Sequence, residues 1–115
     1  MKVFISQPMR GLTSEEIKAN RKRAKDLITL RYNNDVEFID SYVKEDAPKD
    51  SNQGAYYLGR SIEIMSSADA VVFLPGFDKA RGCMIEYTVA LQYEFNIIKI
   101  NDNYNGITEC KYTAL

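Results

Sequence analysis

The sequence predicts an α/β fold: a mostly parallel sheet of four to five strands with helices on both faces. Three observations carry that prediction. Short β-branched or aromatic runs recur at positions 3–5, 36–39, 70–74 and 97–100, and amphipathic helical patterns lie between them. The run Ala70-Val71-Val72-Phe73-Leu74 is apolar without alternation, as a central parallel strand covered on both faces must be. Strand alternating with helix also calls for right-handed crossovers, which place helices on the two sides of one sheet.

Each element follows in order. Val3-Phe4-Ile5 empties into Ser6-Gln7-Pro8-Met9-Arg10-Gly11, a loop rich in turn residues. Thr13 with Glu16 forms a capping-box pattern, so a helix begins there; Ile17, Ala24, Leu27 and Ile28 give its inner stripe to about Leu30. Its Lys18, Arg21, Lys22 and Lys25 read as solvated surface. After the turn Asn33-Asn34-Asp35, the strand Val36-Glu37-Phe38-Ile39 runs to Asp40-Ser41-Tyr42. The polar stretch 43–53, with Pro48, is read as a mobile loop or a short helix over the site. Ser51 or Asn52 caps a further helix with Leu58, Ile62 and Met65 inside, which Gly59 weakens slightly. Asp69 belongs to a turn on the opposite side of the sheet. The segment 75–82 reads as loop because two glycines and a proline interrupt it. A helix follows from about Cys83 to Phe95, with Ile85, Val89 and Tyr93 as its apolar stripe and Leu91 and Phe95 nearby. Asn105-Gly106 marks a turn, and the last residues are an edge strand or a frayed tail. The whole is Rossmann-like, of the flavodoxin-like kind.

The chain has 115 residues, room for one domain over 1–115 and one core. Fifteen basic against sixteen acidic residues, a formal charge of -1, leave no electrostatic footprint for a nucleic-acid polymer or an anionic membrane. A small-molecule partner is expected. There is no histidine, which removes histidine triads and histidine-based zinc sites; no metal and no cofactor are expected. Cys83 and Cys110 are read as reduced thiols, since a domain with its own core needs no disulfide. The short apolar start is neither a signal peptide nor a membrane span, so the expected location is cytoplasmic.

In parallel sheets ligands bind outside the carboxyl ends of the strands. There the sequence collects Ser6, Gln7, Met9, Arg10 and Gly11, then Asp40 to Tyr42, then the segment 75–82 with Glu86 beyond it. The first loop offers a hydroxyl, an amide, a guanidinium and backbone N–H groups, a set suited to phosphate or sugar hydroxyls, although it lacks the spaced glycines of a dinucleotide fingerprint. Glu86 lies about one turn into its helix, where the dipole holds a carboxylate ionised. Such a glutamate serves either as a nucleophile at an anomeric carbon or simply as a partner of the dipole. Asp40 and Asp78 are the other carboxylates near this edge, placed to assist a leaving base, to orient a sugar hydroxyl or only to shape turns. Tyr42, Tyr56 and Tyr57 either stack on a base or pack against the domain.

Three segments then resemble the nucleoside 2-deoxyribosyltransferase-like superfamily, including the deoxynucleoside 5'-monophosphate N-glycosidases and small, often phage-borne relatives. They are Val3-Phe4-Ile5-Ser6-Gln7-Pro8-Met9-Arg10-Gly11, Ala68-Asp69-Ala70-Val71-Val72-Phe73, and Gly82-Cys83-Met84-Ile85-Glu86-Tyr87-Thr88-Val89-Ala90. The resemblance covers roughly the first hundred positions. It implies that Glu86 attacks the sugar C1' and releases the base, that Gln7, Met9, Arg10 and Gly11 contact sugar or phosphate, and that the chain forms a homo-oligomer. Two positions depart from it. Ser61 stands where those enzymes carry an aspartate, and Ala80 stands where the N-glycosidases carry a phosphate-binding serine, so that either Arg81, beside Gly82, holds the phosphate or the ligand differs. A binding module without chemistry is the alternative that these departures raise.

Overall fold

The computed structural model describes residues 1–110. Strand β1 (Lys2–Ser6) leads to helix α1 (Ser14–Arg31), β2 (Glu37–Phe38), α2 (Gln53–Met65), β3 (Ala70–Phe73), a single 3₁₀ turn (Phe77–Lys79), α3 (Arg81–Gln92), β4 (Asn96–Ile100) and β5 (Ile107–Cys110). The five strands form one sheet in the order β2-β1-β3-β4-β5. The first three pairings are parallel and β4–β5 is antiparallel. The α/β fold expected from the sequence is therefore present, with a fifth strand at the edge where the chain was read as either strand or tail.

Strand parity explains the two layers. Val3 and Ile5 point to one face with Ala24 and Ile28 of α1, while Phe4 points to the other with Met65 of α2 and Ala90 of α3. The chain leaves β1 toward one neighbour and β3 toward the opposite one, so their following helices cover opposite faces. A crevice opens between the carboxyl ends of β1 and β3, the switch point at which such sheets bind ligands.

The capping box at Thr13 forms in full: its hydroxyl accepts from the Glu16 N–H, and the Glu16 carboxylate accepts from the Thr13 N–H. Asn52, one of the two expected caps, accepts from Ala55 at 3.0 Å. Three local expectations need correcting. Strand β2 has two residues rather than four, being an edge strand paired only with β1. Of the two readings of 43–53, loop or short helix, the structure has loop as far as Asn52, with Pro48 accepting a turn hydrogen bond from Ser51. Segment 75–82 is not all loop: Gly76, at φ 87, starts the 3₁₀ turn, and Arg81 already opens α3.

The third correction concerns α3. Its buried residues are Cys83, Glu86 and Ala90, whereas Ile85 is 39% exposed, Leu91 51% and Tyr93 75%. Only Val89 of the expected stripe packs against the core, half-buried. The helical period was legible and its phase was not. Small side chains let α3 lie close on the sheet, and Tyr87 supplies bulk by packing edge-on against Phe73. Both cysteines are unpaired thiols, Cys83 buried and Cys110 exposed. Among the described residues, no helix is long and apolar enough to cross a membrane.

Candidate functional site

Glu86 is the chemical centre of the crevice. It sits one turn into α3 and is 6% exposed, yet it lines an open cleft of about 540 Å³ together with Gln7, Met9, Arg10, Lys79 and Arg81. Two hydroxyls hold it. Ser6 donates to Oε1 at 2.7 Å and Ser61 donates to Oε2 at 2.6 Å. Ser6 reaches it because it shares the parity of Phe4, toward α2 and α3. Ser61 reaches it because α2 lies beside α3 on that face. One donor for each oxygen is the arrangement an ionised carboxylate needs when water is largely excluded. No cation pairs with it among the described residues.

The cleft has an asymmetric charge pattern. Arg10, Lys79 and Arg81 are exposed at its lip, unpaired with any acid among the described residues, while the single carboxylate lies at its floor. Ala80 precedes α3 and offers no side-chain cap, so the first N–H groups of that helix face the same opening without a side-chain acceptor. An anion placed there meets helix donors and guanidinium groups together. Burial pushes the Cys83 thiol up, with Ser6 opposing and the Glu86 charge reinforcing, so this neighbour is held as a neutral thiol.

Gln7 forms the wall between two openings. It is 7% exposed, its Nε2 donates to the Ile17 carbonyl at 2.6 Å, and its buried Oε1 has no partner among the described residues. Beyond it a second cleft of about 530 Å³ contains Arg21, Asp40, Tyr42 and Tyr57, and shares Gln7 and Met9 with the first. Asp40 accepts from the Tyr42 N–H at 3.0 Å, a local turn contact. Burial lowers the Arg21 pKa while the charge of Asp40 raises it.

The expected residues thus divide. Gln7, Met9, Arg10, Arg81 and Gly82 line the cleft with Glu86. Ser6 and Ser61 touch the carboxylate rather than lining the cleft. Gly11, at φ 82, shapes the turn into α1. Asp40 lies across the Gln7 wall, and Tyr56 lines neither opening. Asp78 lines a separate depression with Tyr87, Lys99 and Asp102, because the 3₁₀ turn carries it away from Glu86. Asp69 accepts from the Lys2 N–H at 2.7 Å at the far end of the sheet, as a turn residue there should. Lys79 joins the cleft unannounced by the sequence, whose one signal for it is a position two residues before Arg81 at the end of the 3₁₀ turn. Among the described residues, no group of acids and cysteines is arranged to hold a metal ion.

Residues 1–99 match the family model described as Domain of unknown function (DUF4406). No curated protein and no solved structure matches the chain.

Proposed function

We propose, from the premise that the chain belongs to the DUF4406 family, that it is an enzyme of the nucleoside or nucleotide N-glycosidic bond, with Glu86 as nucleophile at the sugar C1'. The observation that carries this reading is a buried carboxylate without a cationic partner among the described residues, open to a cleft whose lip bears three cations likewise unpaired among them. The resemblance to nucleoside 2-deoxyribosyltransferase-like enzymes supports the same assignment. Ser6 and Ser61 fix both carboxylate oxygens, so the attacking atom is oriented before substrate arrives. The developing oxocarbenium-like charge at C1' is stabilised by the carboxylate, and a covalent ester forms before water or a second base takes the glycosyl group. Arg10, Lys79, Arg81 and the first N–H groups of α3 receive a 5'-phosphate.

The test follows base release from nucleosides and nucleoside monophosphates, with and without a second acceptor base. Wild-type protein is expected to turn over at least one of them, and Glu86→Gln to lose on the order of a thousandfold or more. Absence of turnover, or equal turnover by the variant, overturns the reading.

A second reading, a nucleotide-binding module without chemistry, is favoured by one observation: both oxygens of Glu86 are already engaged by serines. It predicts stabilisation by a nucleotide, about 2.7 kcal/mol at a hundred times its dissociation constant, with no product formed. We also propose a homo-oligomer. An apolar groove between α2 and α3, lined by Ile62, Val89, Tyr93 and Phe95, supports this by offering a surface that a second copy can cover. A monomeric mass at micromolar concentration contradicts this.

A further inference from the structure

Resting on the glycosidic reading above, we infer that the cleft selects N-glycosides whose base is already cationic, of the pyridinium or N7-alkylpurine kind, carried on a 5'-phosphorylated sugar. Two independent features lead there. The first is the proton inventory. A neutral purine or pyrimidine leaves as a poor anion unless an acid protonates it. Among the described residues, Glu86 is the only carboxyl group lining its cleft, and it serves as the nucleophile; burial holds the Cys83 thiol to its proton, and Lys79 stands at the exposed lip. Ser6 and Ser61, the hydroxyls that touch it, spend their protons on Oε1 and Oε2. Asp40 lies beyond the Gln7 wall and Asp78 lines another depression. The second feature is electrostatic. The buried Glu86 has no cationic partner among the described residues, whereas the three lip cations have no anionic one. A ligand with a phosphate at one end and a positive base at the other matches both ends of that pattern.

The chemistry then balances without an acid. A Glu86 oxygen forms a bond to C1', the C1'–N bond breaks, and its electron pair cancels the positive charge on the ring nitrogen. The base departs neutral, carrying no new proton. Water next forms the bond to C1', Glu86 leaves as carboxylate, and the proton passes to solvent.

The experiment measures base release from nicotinamide mononucleotide and 7-methylguanosine 5'-monophosphate against guanosine, adenosine and deoxyadenosine 5'-monophosphates, using wild-type protein and Glu86→Gln. The cationic pair is expected to react faster by a hundredfold or more, on the order of what a missing general acid is worth, and to lose that turnover in Glu86→Gln. Glu86-dependent release from the neutral nucleotides at an equal or higher rate overturns the inference and leaves the glycosidic reading standing. Loss of that neutral turnover in Asp40→Asn would identify the acid denied here. No release from either group overturns both.

Discussion

Helices α1 and α3 cover opposite faces of the same sheet, and they do so by opposite means. Helix α1 begins on a full capping box and buries Ala24 and Ile28, as its pattern of apolar residues requires. Helix α3 begins on an alanine without a side-chain cap, turns a glutamate inward, and leaves Ile85, Leu91 and Tyr93 substantially exposed. A helix serving only stability would be rotated the other way, because burying a carboxylate costs several kcal/mol more than burying an isoleucine. The orientation of α3 is stabilised instead by the hydroxyls of Ser6 and Ser61 and by the close approach of Cys83 and Ala90. The contrast assigns α1 to the scaffold and α3 to the site.

The largest expected effect breaks the scaffold side of this comparison. Ile28 is fully buried between α1 and the sheet, so Ile28→Ala should cost about 2–5 kcal/mol through lost burial and the cavity left behind. Urea unfolding measures it directly. A loss below 1 kcal/mol, on the same order-of-magnitude scale, would mean that α1 does not hold its face of the core.

The next effect sharpens the site side. Ser61→Ala removes the donor to Glu86 Oε2 and should cost about 1–3 kcal/mol, the penalty for a largely buried charged group deprived of a hydrogen bond. Ser61→Thr, which keeps the hydroxyl, should recover most of it. If Ala and Thr behave alike, the hydroxyl contributes nothing to holding the carboxylate, and the positioning argument for α3 fails.

The two helices also differ in how far the sequence disclosed them. For α1, local signals suffice: the cap, the period and the inner stripe are all encoded within the helix itself. The Glu86 neighbourhood was partly legible, since the ends of β1 and β3 must meet in a parallel sheet and the Gly82-to-Glu86 spacing lies at the second of them. The contact with Ser61 was not, because it depends on α2 and α3 lying side by side and on the rotation of each about its own axis. Rotation is where periodicity fails. Ile85, Val89 and Tyr93 repeat as a core face would, yet the chain buries the stripe one residue further on, where small and polar residues allow close packing and a reactive group. Asp78 shows the same limit in a loop: three residues of 3₁₀ helix decide which depression a side chain enters.

The smallest expected effect bears on the exposed stripe itself. Tyr93 is 75% exposed at the end of α3, so in a dilute, monomeric sample Tyr93→Ser should change stability by no more than about 0.5 kcal/mol. Above the concentration at which copies associate, the same substitution should lower the measured mass, because it removes an aromatic ring from the apolar groove with Ile62 and Phe95. Light scattering and denaturant unfolding on one dilution series separate the two terms. A large, concentration-independent loss of stability would place Tyr93 in the folding core after all, and the opposition between a scaffold helix and a site helix would no longer hold.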